Sequence, residues 1–219
     1  MARSLPDRSR PRVIVGLGNP GDSYIDTRHN LGFSVVDNLV SLLKTPDPFT
    51  QPDLEAFSAG WKGRKLHLLK PMSFMNCSGP PVKGYLRKIG ATIDDLLVVV
   101  DDLDLDPGML RMRPGGSSGG HRGIEDLIQN LGSDRFARCR MGIGRPSQGQ
   151  TVEDFVLEKP VEAEWALQQR SIHRAADSAL CWAVEGVKNA GLRYNGPLPE
   201  ENISGNRSNL WKMIRKSRT

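Results

Sequence analysis

The sequence has few cysteines and no long apolar run, and both absences narrow the class of protein. The three cysteines, Cys77, Cys139 and Cys181, lie far apart and form no CxxC pair. This argues against a disulfide framework or a cysteine-based zinc site and favours a reducing compartment. No stretch approaches the roughly 18–20 apolar residues that a membrane-spanning helix needs. We therefore expect a protein of the cytoplasm, or of an organellar matrix, without membrane contact.

The composition is that of a folded protein. The 219 residues are 38% hydrophobic and 25% charged, which is typical of globular chains. We expect one domain over residues 12–195, preceded by a flexible lead-in (1–11) and followed by a basic tail (196–219). The net charge of +5 favours a polyanionic partner such as nucleic acid, although a basic solvated surface would give the same excess.

Short β-branched or apolar runs alternate with segments of helical periodicity, which predicts an α/β fold. A turn at residues 61–64 predicts a β-hairpin, so the sheet should be mixed, though mostly parallel, within a single α/β/α layer structure. Residues 45–52 read as a proline-rich break. We predict strands at 13–15, 56–60, 65–69, 96–100, 109–112 and 139–143, and helices at 31–43, 78–89, 124–131 and 162–187.

A glycine cluster, Gly16 to Gly21, follows the first strand and matches GxGxxG. The pattern occurs in dinucleotide-binding folds, where a helix N-terminus binds the pyrophosphate. Here Pro20 and Gly21 stand where that helix would begin, and the helical pattern starts only near Leu31. A nucleotide-binding protein is therefore an alternative with weak support.

His29 lies in the loop after this cluster, and Asp101 ends the most apolar predicted strand. Sites in open α/β sheets gather at the carboxyl ends of strands, so the two side chains are candidates for one site. A carboxylate bonded to one imidazole nitrogen makes the other a better base. The neighbouring Asp102 reads as part of a solvated acidic turn. Zinc held by His29, His121 and Asp101 lacks a spacing such as HExxH, and we expect neither metal nor cofactor.

Two later segments offer hydrogen-bond donors. Asn76 could present its amide to a peptide or an oxyanion, whereas Phe74 and Met75 could equally fill the core. The second glycine-rich loop, residues 115–123, runs into a predicted helix and is flanked by arginines. Backbone N–H groups at such a junction suit anions, although a plain mobile loop has the same composition.

Taken together, these segments resemble the bacterial-type peptidyl-tRNA hydrolase family. Each motif is modest alone, but the ordered set is specific and spans most of the chain up to about residue 160. The matching stretches are VGLGNPG (15–21), TRHN (27–30), FMN (74–76), DDLDL (101–105), GG and GGH within 115–121, and MGIGRP (141–146).

The resemblance implies a metal-independent esterase that acts on N-blocked aminoacyl-tRNA and peptidyl-tRNA. His29 matches the family's catalytic histidine and Asp101 the acid that supports its basic form. Asn19 matches the asparagine that helps tell blocked from free aminoacyl ends, and Asn76 one that binds near the scissile ester. We expect His29 to deprotonate water, while Asn76 and amides near Gly119 stabilise the oxyanion.

The same resemblance implies substrate contacts beyond the reacting ester. Tyr24 and Phe74 match substrate-contacting positions, and Arg113 and Arg140 match positions where basic residues meet tRNA. Arg122 stands where the family usually has asparagine, and arginine can donate to phosphate but cannot accept a hydrogen bond. We expect a monomer. The alternative is a non-catalytic RNA-binding relative of this fold, of the intron-splicing-factor type, which Arg122 and the basic tail mildly favour.

Overall fold

The computed structural model describes residues 10–199, which form a seven-stranded sheet with helices on both faces. The strands are β1 Arg12–Gly16, β2 Phe49–Gln51, β3 Leu54–Trp61, β4 Arg64–Pro71, β5 Leu96–Asp102, β6 Leu110–Arg113 and β7 Ala137–Gly142. The helices are α1 Leu31–Leu43, α2 Gly79–Ile89, α3 Arg122–Leu131, α4 Val152–Leu157 and α5 Glu162–Tyr194.

The strand order is β2-β3-β4-β1-β5-β7-β6. The four inner strands β4, β1, β5 and β7 are parallel, whereas β3 and β6 run against their neighbours. Helices α1 and α5 cover one face, and α2 and α3 cover the other. The prediction of a mixed, mostly parallel sheet in an α/β/α arrangement is therefore confirmed.

Strand β5 runs through the centre of the sheet, and all seven of its residues are buried. Leu97 and Val99 pack against one helical layer, while Val98 and Val100 pack against the other. The strand ends in Asp101 and Asp102, which are also buried. Because an unpaired buried charge is costly, both carboxylates need partners, and these partners define the chemistry at this edge.

The glycines after β1 allow helix α1 to pack directly against the strand. A Cβ atom on Gly16 would lie 2.0 Å from the carbonyl oxygen of Gly32, and one on Gly32 would lie 2.3 Å from the nitrogen of Leu17. A Cβ atom on Gly18 would meet the ring of Phe33 at 2.7 Å. These glycines serve the contact between strand and helix.

Two short elements escaped prediction. The expected break at residues 45–52 contains β2, an exposed three-residue edge strand that exists only through its pairing with β3. Helix α4 buries only Phe155 and Val156, which are too few apolar residues to show a helical period in the sequence. The Thr151 hydroxyl caps this helix by accepting the Asp154 N–H at 3.1 Å.

The last helix and the residues after it lie close to the predicted end of the domain. Helix α5 continues to Tyr194 past a non-helical residue, Gly186, close to the predicted end at residue 187. Gly196 then exchanges backbone hydrogen bonds of 2.9 and 3.1 Å with Leu110, so the chain still follows the sheet beyond residue 195. The rest of the predicted tail, residues 200–219, lies outside the described residues, as do residues 1–9 of the lead-in. Among residues 10–199, no helix is long and apolar enough to cross a membrane.

Candidate active site

A cleft of about 560 Å³ opens at the carboxyl ends of the parallel strands. This edge is where α/β sheets present binding sites, because loops from neighbouring strands converge there. One predicted site residue, Arg113, lies exposed at the end of β6 and does not line the cleft. The other predicted residues all line it: Asn19, Tyr24, His29, Phe74, Asn76, Asp101, Arg122 and Arg140.

His29 and Asp101 are paired at the buried end of the cleft. The Nδ1 atom of His29 lies 3.0 Å from both carboxylate oxygens, and the side chains are 12% and 3% exposed. Burial alone lowers the pKa of His29, but attraction to Asp101 and their hydrogen bond outweigh it and raise this pKa above its ordinary value of 6.5. With Nδ1 bound to the acid, Nε2 is the nitrogen available to a water molecule in the cleft.

Asp101 has a second imidazole partner, which the sequence analysis grouped with it only in the zinc interpretation. The Nε2 atom of His121 lies 3.1 Å from Asp101 Oδ1. Burial by itself raises the pKa of Asp101, but its attraction to His29 and His121 and its hydrogen bonds with them lower it well below the usual range. The carboxylate therefore stays ionised while it accepts hydrogen bonds from two rings.

The position of the proton on His121 follows from its other contacts. Its Nδ1 atom accepts hydrogen bonds from the backbone N–H groups of Gly123 and Ile124, at 3.2 and 3.3 Å, and so caps α3. An accepting Nδ1 carries no proton, which leaves the proton on Nε2, where it is donated to Asp101.

This hydrogen-bond pattern bears on the metal interpretation. The ligand atoms of His29, Asp101 and His121 lie within 4.8 Å of one another, so the three side chains are close enough to hold an ion. For His121 to bind a metal through Nε2, its proton would have to move to Nδ1, where it would face two backbone N–H donors. The donor set therefore fits a hydrogen-bonded network better than a metal site.

Asn19 is fixed by backbone contacts on both sides. Its backbone N–H and carbonyl bond the side chain of Asn30 at 2.8 and 2.9 Å, and its Oδ1 accepts the N–H of Met75 at 2.8 Å. The side-chain nitrogen of Asn19 has no partner within residues 10–199. Since the amide oxygen already accepts one hydrogen bond, the side-chain N–H groups are the unpartnered groups that Asn19 presents to the cleft.

Residues from the loop after β4 form the wall beside Asn19. Met75 is buried, as core filling requires, whereas Phe74 is 58% exposed and meets the edge of Tyr24 with ring centroids 6.4 Å apart. Asn76 is exposed to the cleft, and its amide has no partner in the part of the chain that is described. This wall therefore combines an aromatic surface with a free amide group.

Asp102 is not the solvated turn residue that we predicted. It is buried, its backbone carbonyl accepts the N–H of Ile143, and its carboxylate lies 2.5 Å from Nε of Arg140 on β7. Burial raises the pKa of Asp102 in spite of the charge of Arg140. The prediction was wrong because it placed Asp102 in a turn after the strand, whereas β5 continues through residue 102.

The second glycine-rich loop also lines the cleft, through Ser118, Gly119 and Gly120. Gly119 and Gly120 have φ values of 60° and 81°, which glycine adopts without steric cost. Arg138, which is buried, donates to the carbonyl oxygens of Gly116 and Ser117 and so braces the loop from below. These two hydrogen bonds tie the first part of the loop to β7.

Arg122 and Glu153 form an ion pair at the mouth of the cleft, with Nη2 of Arg122 3.2 Å from Oε2 of Glu153. The residues belong to α3 and α4 and are exposed by 66% and 62%. No sequence pattern linked Arg122 to Glu153, because α4 itself was not predicted. For His121, the sequence did hold one signal of its structural role. It is a polar residue just before a segment of apolar helical period, which is typical of a helix N-cap.

The fold and the cleft define an α/β/α protein equipped for general-base chemistry beside preorganised amide donors. The peptidyl-tRNA hydrolase family model matches residues 13–202. A peptidyl-tRNA hydrolase from Rhodopirellula baltica is 39% identical over 184 residues, which are 84% of this chain and 97% of that relative. The chain therefore belongs to the peptidyl-tRNA hydrolase family, and it is a hydrolase that acts on ester bonds.

Solved structures agree with this assignment. A peptidyl-tRNA hydrolase in complex with N-propanol and the enzyme from Acinetobacter baumannii each align with a TM-score of 0.80 at 32% identity. The alignments cover 86% and 85% of this chain, and 96% and 95% of those chains. The likeness extends over almost the whole of each relative, so the cleft lies within the shared fold.

Proposed function

We propose that His29, oriented by Asp101, is the general base for hydrolysis of the ester between a peptide and its tRNA. The observation that carries this proposal is the bond between Nδ1 of His29 and the buried Asp101 carboxylate at 3.0 Å. That bond leaves Nε2 to take a proton from water. The resulting hydroxide attacks the ester carbonyl, and the terminal ribose hydroxyl leaves with a proton returned from His29.

Asn76 and the backbone N–H of Gly119 are the donors we assign to the oxyanion of the tetrahedral intermediate. Both residues line the cleft. Neither group donates a hydrogen bond to another residue between 10 and 199. No existing hydrogen bond would therefore have to be broken for these groups to bind the oxyanion. Donors held in place before reaction stabilise developing charge without the cost of reorienting.

Asn19 supports selection of N-blocked substrates. Its Oδ1 is occupied by the Met75 N–H, so the side chain offers only its N–H donors to the substrate. Such a donor suits the carbonyl oxygen of a peptide or N-acyl group. A free α-ammonium group is itself a donor, so the N–H groups of Asn19 would not bind it.

The tRNA is assigned to the basic and aromatic parts of the rim. Arg113 and Arg140 would contact phosphates, and the exposed ring of Phe74, set against Tyr24, would contact the end of the substrate. Arg122 would contact the substrate once its own ion pair with Glu153 has opened. We also propose that the reaction needs no metal, that the protein is monomeric, and that it works in the cytoplasm to recover tRNA from stalled peptidyl-tRNA.

Release of tRNA from N-acetyl-aminoacyl-tRNA in the presence of EDTA tests the assignment. We expect cleavage of this substrate but not of free aminoacyl-tRNA, and a loss of about 10²–10⁴-fold in kcat for His29→Ala. His173→Ala, an exposed histidine of α5 outside the cleft, is the matched control. Tight RNA binding without cleavage by the unmodified protein would instead favour the non-catalytic alternative. Light scattering tests the monomer.

A further inference from the structure

His121 connects the proposed base to the start of helix α3. Its two ring nitrogens contact different partners: Nδ1 accepts from the N–H groups of Gly123 and Ile124, and Nε2 donates to Asp101. Its side chain is 11% exposed, and its ring centroid lies 5.0 Å from that of His29. The ring therefore has little freedom to turn without breaking a contact at one end.

The carboxylate of Asp101 is held by both histidines at once. Its Oδ1 atom lies 3.0 Å from Nδ1 of His29 and 3.1 Å from Nε2 of His121. A carboxylate with a single partner can rotate about its Cβ–Cγ bond, whereas two donors from fixed positions define its plane. In addition, the hydrogen bond from His121 draws negative charge of the Asp101 carboxylate away from the side that faces His29.

We propose that His121 is a positioning residue for the hydrolysis: anchored on the first turn of α3, it holds the Asp101 carboxylate in the orientation that presents His29 to water. The proposal rests on the assignment of His29 as the base. It gives His121 a role that does not require contact with substrate and that differs from its role as a helix cap.

The charged groups around His29 decide the expected sign of the effect. They are Asp101 on β5, His121 and Arg122 at the start of α3, and on α4 Glu153, which is paired with Arg122. Asp101 raises the pKa of His29 and Arg122 lowers it. Loss of the His121 hydrogen bond leaves more of the Asp101 charge to His29, which raises the pKa of His29 further.

Two substitutions separate positioning from capping. His121→Asn keeps a favoured helix cap, because its Oδ1 can accept from the same N–H groups, but it loses the donor to Asp101. His121→Ala loses both contacts. We expect kcat to fall about 10- to 100-fold in both variants, as for loss of a hydrogen bond to a charged group, with little change in KM. Only His121→Ala should also lower the melting temperature.

The pH profile supplies the readout that a purely structural role would not move. The base form of His29 exists above its pKa, so the acid limb of kcat/KM should shift to higher pH in His121→Asn, and activity should partly recover as pH rises. NMR titration of the His29 ring in the full-length protein should show the same upward shift without any substrate.

Three results would overturn the proposal. In the first, His121→Asn keeps the unmodified kcat and acid limb, which would leave His121 as a helix cap only. In the second, both variants lose activity and stability together while the His29 titration stays unchanged. In the third, the titration moves downward. Failure of the general-base assignment is distinguishable, because His29→Ala would then keep the unmodified kcat, whereas the effect of His121→Asn on the His29 titration could still be measured.

Discussion

The cleft has a buried end and an exposed rim, and different interactions hold the two together. At the buried end, His29, Asp101 and His121 have side chains no more than 12% exposed and share hydrogen bonds of 3.0–3.1 Å. At the rim, Arg122 and Glu153 are more than 60% exposed. Hydrogen bonds to buried charges are strong and directional, whereas exposed ion pairs contribute about 0–1 kcal/mol and are screened by salt. The difference predicts that the buried end carries out the hydrolysis and that the rim binds tRNA in a salt-sensitive way.

Asp101 and Asp102 mark the boundary between the two regions. They are consecutive and both buried, yet the pKa of Asp101 is lowered and that of Asp102 is raised. Burial raises the pKa of both carboxyl groups. At Asp101 two imidazole partners overcome this effect, whereas at Asp102 the contact with Arg140 does not. The partners, and not the type of residue, decide which carboxylate orients the base.

The largest effect should come from Asp101→Asn. The amide cannot stabilise the protonated form of His29 and can hold the wrong tautomer, so we expect kcat to fall by about 10²-fold or more. Asp101 raises the pKa of His29, so its removal lowers that pKa, and the acid limb should move to lower pH while the plateau falls. Steady-state rates between pH 5 and pH 9 measure both changes.

Asp94→Asn is the matched control for this prediction. Asp94 lies just before the opposite end of β5, is exposed and does not line the cleft. The Asp94→Asn substitution should leave both the plateau and the acid limb of the pH–rate profile unchanged. An acid limb that stays in place in Asp101→Asn would mean that His29 is not the group whose titration controls the rate.

An intermediate effect is expected for the arginines assigned to tRNA. Arg113→Gln and Arg140→Gln should raise KM with little change in kcat, and each should reduce the salt slope of tRNA binding by about 1. Arg113 has no ion-pair partner among residues 10–199, so its loss should leave thermal stability unchanged. Arg140→Gln should also destabilise the fold, because Asp102 would lose its buried partner.

A double variant separates the two consequences at Arg140. Asp102→Asn combined with Arg140→Gln removes the unpaired charge, so it should recover stability but not affinity for tRNA. Binding titrations at several salt concentrations, together with thermal unfolding, test this separation. A fall in kcat with unchanged KM in either single arginine variant would contradict the division between the buried end and the rim.

The smallest effect should come from Arg122→Asn. The exposed pair with Glu153 contributes little, so stability should change by less than about 1 kcal/mol. Because Arg122 lowers the pKa of His29, its removal should shift the acid limb slightly to higher pH. We expect kcat/KM to change no more than about 5-fold, which equals roughly 1 kcal/mol. Glu153→Gln, which frees Arg122, should by contrast strengthen tRNA binding.

Several elements could be predicted because their signals are local. Helix α1 was predicted with its observed bounds from apolar residues at helical spacing, and β5 from an unbroken apolar run. The two glycine-rich loops, in contrast, look alike in sequence. Gly16 lies against Gly32 with no room for a Cβ atom, whereas a Cβ atom on Gly120 would meet nothing within 4 Å. Composition does not distinguish a glycine needed for packing from one needed for backbone conformation.

The sequence by itself determined the α/β/α fold, the edge of the sheet at which the site forms, and the residues that the family motifs single out. Only the tertiary structure decided their partners: His121 on Asp101, Arg140 on Asp102, and Glu153 on Arg122. The physical reason is that hydrophobic period and turn chemistry act between neighbours in the chain. A hydrogen bond between residues 20 or more positions apart depends instead on how the strands are ordered and in register.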